Sequence, residues 1–217
     1  MKRQVSMDEI SDGRLYGLND MVKADCQGCE GCSACCRGMG ESIVLTPLDL
    51  YRLEAGLSCS FGELLIDRIE LNLQDGLILP NLKMRDKDEA CVFLDENGRC
   101  AVHEIRPDIC RLFPLGRFYE EGGFRYFLQV HECEKKNRMK IKVKKWLNIP
   151  ELPRHEKYIQ VWHDYLKETG EALDANGGEE TRREVTTRLL KIFYIRPYNK
   201  NKDFYEQFYE RFEEEKR

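Results

Sequence analysis

Residues 1–25 are polar and weakly patterned. The next stretch holds Gly28, Gly31, Gly38 and Gly40, which break helices and permit tight turns. It has little apolar material and reads as a loop wrapped around something. Ile43, Val44 and Leu45 then form a short apolar run that predicts a strand. Thr46 reads as an N-cap, Pro47 as the first helical residue and Asp49 as a first-turn carboxylate. This helix is expected to run through Leu53 and to stop at Gly56. Ser60 and Glu63 make a second capping-box signature, with Phe61, Leu64, Leu65 and Ile69 as its buried stripe.

From residue 69 to 133 the rhythm shortens. Residues 71–79 turn at Asp75-Gly76, residues 91–102 turn between Asp95 and Gly98, and residues 117–130 turn at Gly122-Gly123. Each reads as an antiparallel hairpin. Beyond residue 136 the pattern is helical or loose. Residues 156–166 carry Ile159, Trp162 and Leu166 on one stripe, residues 171–180 read as an exposed linker, and residues 184–193 read as another helix. Arg196 precedes Pro197 and so avoids the α region, which ends that helix. Phe204, Phe208 and Phe212 recur every four residues, predicting an amphipathic terminal helix docked on the same protein. The expected fold class is α+β: a small cysteine-rich metal-binding core with short antiparallel β hairpins and surrounding helices. Residues 1–135 would form the cysteine-cluster domain. Residues 136–217 would form a helical extension packed on it.

Composition changes this picture in two ways. Hydrophobic residues make up 41% of the 217, enough for a core that does not depend on disulfides. The formal charge of -4 gives no argument for nucleic acid. No run approaches the roughly 18 apolar residues of a membrane span, and the first ten residues lack the apolar region of an export signal. The expected location is therefore cytoplasmic. The stretch from Lys135 to Lys145 is basic and without acids, and reads as a solvated face or as a contact for an acidic partner or a phosphate surface.

The chemistry lies in ten cysteines, which a reducing compartment favours for metal or redox use over structural bridges. Cys29, Cys32 and Cys35 repeat a two-residue spacing that turns successive sulfurs toward one centre, and Cys26 extends the series. Ferredoxin clusters and zinc sites both use this pitch. Cys35 and Cys36 are adjacent. In extended backbone they would face opposite ways, so either they serve two centres or Cys36 is structural or reactive. Downstream, Cys91, Cys100, Cys110 and Cys133 form a dispersed second group. Cys59 is isolated and reads as inert. A dithiol oxidoreductase would want one Cys-x-x-Cys at a helix start, which this glycine-broken repeat lacks. Arg37, Arg106 and Arg111 either offset thiolate charge or form structural ion pairs. His103 and His131 lie near cysteines in sequence, with structural or surface roles favoured over ligation. His155 and His163 are expected to be solvated. No His-Glu-x-x-His, Walker or Rossmann pattern is present.

The run Cys29-x-x-Cys32-x-x-Cys35-Cys36 is followed in order by four further motifs. These are Ile43 to Asp49, Cys91-Val92-Phe93-Leu94, Gly98-Arg99-Cys100, and Arg106-Pro107-Asp108-Ile109-Cys110-Arg111 with Phe113-Pro114. The set, closed by Cys133, resembles the prokaryotic CxxCxxCC family of YkgJ-like cysteine-cluster proteins over residues 25–135. That resemblance implies a metal or cofactor site made by Cys29, Cys32, Cys35, Cys36, Cys91, Cys100, Cys110 and Cys133. Cys26 and Cys59 look like additions to the family's eight. Relatives are described as binding zinc or iron, often as an iron–sulfur cluster, and some are flagellin lysine methylases.

Three functions follow. The leading one is an iron–sulfur protein, with a [4Fe–4S] centre expected, a redox or cluster-dependent modification role and a protein substrate or redox partner. The second is a zinc-stabilised protein-binding module. The third is protein-lysine methylation, although the chain shows no glycine-rich strand–turn–helix of the common S-adenosylmethionine fold.

Overall fold

Local signals in the sequence set several helix starts. Helix α2 (Pro47–Leu57) begins at Thr46, whose hydroxyl accepts from the Asp49 N–H while the Asp49 carboxylate accepts from the Thr46 N–H. Helix α3 (Phe61–Asp67) begins with the same reciprocal arrangement of Ser60 and Glu63. Each capping box satisfies two amide donors that the helix cannot. Between the two helices, Ser58 takes a left-handed conformation at φ 53° and ends α2 two residues beyond Gly56.

The computed structural model describes residues 6–27, 32–135 and 137–216. Around α2 and α3 it places a short α1 (Met7–Ile10), β1 (Met21–Asp25), β2 (Ile69–Gln74), β3 (Leu77–Leu82), α4 (Asp108–Leu112), β4 (Leu115–Glu120) and β5 (Gly123–Leu128). It continues with β6 (Met139–Lys142), α5 (Val143–Leu147), α6 (Leu152–Asn176), α7 (Glu179–Leu190), a π-helical turn (Lys191–Ile195) and α8 (Phe204–Glu215). The fold is α+β. Its strands pair antiparallel as β1 with β6, β2 with β3, and β4 with β5. Among the described residues no helix is long and apolar enough to cross a membrane.

Two of the three expected hairpins form. In β2–β3, Asp75 and Gly76 both have positive φ, as a two-residue turn between twisted strands requires. That turn packs on α6 at Gly170, where a Cβ would stand 2.7 Å from the Asp75 carbonyl. Arg182 of α7 donates to the Gly76 carbonyl at 2.9 Å. The third expected hairpin, residues 91–102, is instead a compact turn with a single bridge between Leu94 and Cys100. The Asp95 carboxylate and backbone take up the turn's amides from Asn97 and Arg99, leaving little backbone for a ladder. Residues 43–45 likewise make one bridge, Val44 to Asn81, rather than a strand.

Two elements run against the sequence reading. Residues 21–25, read as weakly patterned, form β1, with Val22 and Ala24 buried and their neighbours outward. Its partner β6 lies within the basic stretch, read as helical or loose. The expected linker at 171–180 is largely helix: α6 continues to Asn176 because Leu173 is buried, and it stops where Gly177 caps it.

The main core joins α2, α3, the β2–β3 hairpin and the C-terminal helices. Phe204, Phe208 and Phe212 are buried, so α8 docks on this chain as its periodicity predicts. Phe208 packs edge-on to Tyr158 of α6, with ring centroids 4.7 Å apart. Two hydroxyls tie the C-terminal region to the start of α2 and the residues just before it: Tyr158 accepts from the Leu48 N–H at 3.1 Å, and Tyr194 donates to the Leu45 carbonyl at 2.8 Å. A smaller core gathers β1, the β4–β5 hairpin and α5 around Val22, Leu115 and Leu147. Phe208 is wholly excluded from solvent. Phe208→Ala should therefore cost about 3–5 kcal/mol, read as a lower urea midpoint with an unchanged slope.

Candidate metal centre

The cysteines are placed by short backbone links between loops. The Cys91 N–H donates to the Cys36 carbonyl at 2.7 Å, and the Gly38 N–H donates to the Glu89 carbonyl at 2.9 Å. These bonds hold the end of the cysteine run against residues 89–91. Cys100 is carried back beside Cys91 by the Asp95 turn, with the Ala101 N–H bonded to the Phe93 carbonyl at 2.8 Å. Cys110 arrives on α4.

Cys36, Cys91, Cys100 and Cys110 consequently lie within electrostatic reach of one another. The amides two residues on, Phe93 and Val102 respectively, lie near the Cys91 and Cys100 sulfurs and favour their thiolate forms. Burial pushes the Cys91 thiol up to about 11, with the Cys36 and Cys100 charges adding to it. Burial likewise raises Cys100, and it raises Cys110 well above the usual thiol range. Cys36 moves the other way, to about 7, because the Cys35 thiol bonds to it and Arg37 and Arg106 lie near. The physical content is simple. Four crowded thiols resist ionising together unless a cation is shared among them.

Cys35 and Cys36 sit in a 3-10 turn (Ala34–Cys36), not in extended backbone. Opposite-face geometry therefore does not apply, yet the two sulfurs still have different surroundings. Cys35 lines a cavity with Cys26, Cys32 and Cys133, alongside Phe113 and Trp146. Of the expected site residues, then, Cys36, Cys91, Cys100 and Cys110 come together, and Cys32, Cys35 and Cys133 meet elsewhere. Cys29 lies outside the described residues. The nine described cysteines are thiols. As they stand, no three described His, Cys, Asp or Glu side chains are close enough to hold a metal ion. The donor set has the chemistry of a thiolate site in both places, and the side chains would have to close in to bind.

The remaining candidates sort themselves by position. Cys59 packs against the main core, and burial raises its pKa. Arg37 forms an ion pair with Asp88 at 3.3 Å while staying near Cys36. Arg106 bonds to the His103 carbonyl at 2.8 Å and acts electrostatically on Cys36 and Cys100. Arg111 bonds to the Glu104 carbonyl at 2.8 Å. His131 is exposed. His163 is half-buried and stacks on Tyr119 at 3.4 Å.

His155, expected in solvent, is instead 1% exposed. Its Nε2 lies 2.8 Å from Asp108 Oδ1. Asp108 also pairs with Arg117, and its own N–H donates to Asp49 Oδ1 at 2.8 Å. Burial opposes the Asp108 charge, but Arg117 and His155 overcome it and hold the carboxyl far below its usual range. Asp49, by contrast, is raised by burial and by the Asp108 charge. This network starts the helix that carries Cys110. Sequence reasoning missed it because His155 and Arg117 are distant in the chain. The only hint was an acid inside a cysteine motif.

The family model described as "Putative zinc- or iron-chelating domain", CxxCxxCC, matches residues 28–142. The chain belongs to the CxxCxxCC family. The match takes in β2 to β5 and extends into β6. It covers Cys29, Cys32, Cys35, Cys36 and the four downstream cysteines, and it leaves Cys26 just outside. Comparisons with curated proteins and with solved structures returned no match.

Asp108→Asn should destabilise the protein by about 3–5 kcal/mol, because the buried Arg117 guanidinium loses its countercharge. Equilibrium urea unfolding of wild type and variant under the same metal conditions checks this.

Proposed function

We propose that this family member is an iron–sulfur protein whose centre, a [4Fe–4S] cluster, is held by Cys36, Cys91, Cys100 and Cys110. One observation carries the reading. All four thiols are mutual electrostatic neighbours, and backbone amides near two of them favour the thiolate form. Sulfur-directed amides and nearby cations favour the anionic form of a metal–thiolate site and set its potential. Arg37 and Arg106 supply such cations beside Cys36.

When bound, the cluster would supply one-electron exchange or an open coordination position for group transfer. The protein's part is to hold four sulfurs at one place and to exclude water from them. Burial of Cys91 in the main core, with Cys110 half-buried against it, does the second. The Asp108 network does the first for Cys110, by fixing the start of α4. The associated role is electron transfer or cluster-dependent modification, toward a redox partner or protein substrate, in the reducing cytoplasm. Zinc at the same sulfurs would give a closed, redox-silent module, a second reading because the family description names zinc as well as iron.

Protein purified without oxygen should be coloured and carry iron and sulfide in matching amounts. Colourless protein with stoichiometric zinc would replace the cluster reading with the zinc one. Cys110→Ala should weaken metal retention by more than the roughly 10–100-fold that follows from losing a mere supporting contact. Chelator competition measures that loss, with circular dichroism confirming the fold.

A further inference from the structure

We infer that Cys26, Cys32, Cys35 and Cys133 form a second centre, for a single thiophilic divalent cation of the zinc class. It adjoins the group around Cys110 at the Cys35–Cys36 pair and shares no ligand with it. The inference rests on the reading that thiols in this chain hold metal, and it extends that reading to a cysteine outside the family match.

The first support is convergence. Residues from three separate segments bring four sulfurs to one cavity, walled by Phe113 and Trp146. The cavity volume is about 30 Å³. A cavity measured this way needs about 10–15 Å³ to hold one water, so there is room for a small guest between the four cysteines. Four thiolates around one ion is the closed tetrahedral arrangement of structural zinc. Soft sulfur donors also select zinc over the hard cations of oxygen sites.

The second support is how Cys26 is delivered. It follows β1 directly, and the last register pair of β1 with β6 is Asp25 to Met139. The Asp25 carboxylate accepts the Gln27 N–H at 2.9 Å, so Cys26 sits at the centre of a side-chain-braced turn. Cys133 lies on the segment that leads into β6. A sheet that pairs β1 with β6 therefore brings Cys26 and Cys133 to the same end. The Trp146 indole N–H donates to the Leu112 carbonyl at 3.2 Å, which fixes one wall.

The third support is the division at Cys35 and Cys36. Cys36 has Cys91, Cys100 and Cys110 as its thiol neighbours downstream, whereas Cys35, itself bonded to Cys36, lines the outer cavity, so the two groups adjoin at this pair. One 3-10 turn thus supplies a sulfur to each group. Binding at the outer group converts thiols to thiolates and releases their protons to solvent, so the step balances without an oxidant.

The test uses the full chain loaded with ¹¹³Cd²⁺ in place of zinc, under reducing, oxygen-free conditions. Proton–cadmium correlation should show two cadmium resonances, one coupled to the β-protons of Cys26 and the other to those of Cys110. No coupling to Cys26, or one resonance coupled to both cysteines, overturns the proposal. In a second arm, Cys26→Ala should weaken zinc affinity at one site by at least about 10-fold and leave the Cys110-coupled resonance in place. Unchanged binding of two ions, or loss of both resonances, overturns it. Iron and sulfide play no part in either readout. The cluster assignment can therefore fail while this one stands, and the reverse.

Discussion

A single buried carboxylate governs how the cysteine region meets the helices. Asp108 is 2% exposed, and it takes Arg117 from β4 and His155 from α6 as partners. Its amide is held by Asp49 of α2. Three elements are thus referred to the first residue of α4, two positions before Cys110. An isolated buried carboxylate would be costly, and paired charges in a dry interior are stable only when every partner stays in place. Such a network tolerates little movement. That rigidity is what a dispersed set of ligands needs if Cys110 is to meet Cys91 and Cys100 reproducibly.

The thiols themselves pull the other way. Burial and mutual repulsion raise Cys91, Cys100 and Cys110, so these three resist ionising, while Cys36 is lowered to about 7. A metal sharing the thiolates would offset that repulsion and add its binding energy to folding. Aromatic packing supports the arrangement from behind. Tyr158 and Tyr194 use their rings in the main core and their hydroxyls on the backbone around residues 45–48. The C-terminal helices therefore brace the segment that opens α2, and α2 in turn supplies Asp49.

Much of the local structure was legible from residue order. The capping boxes at Thr46 and Ser60 read directly as helix starts, because side chain and backbone meet within four residues. The Asp75-Gly76 turn and the aromatic stripe of α8 did so for the same reason of short range. The loop at 91–102 misled because its Asp95 side chain competes with the ladder for the same amides. His155 misled because a polar residue on a helix gives no sign of a carboxylate waiting 47 positions away in sequence.

The sequence by itself determined the family, the α+β class and the cysteine supply, since spacing of sulfurs and capping residues is written within a few positions. Only the tertiary structure decided which sulfurs are neighbours. The pairing of β1 with β6, the 3-10 turn at Cys35 and Cys36, and the anchoring of α4 are long-range outcomes. They arise because buried amides and charges must find partners anywhere in the chain, and the cysteines travel with the backbone that does so.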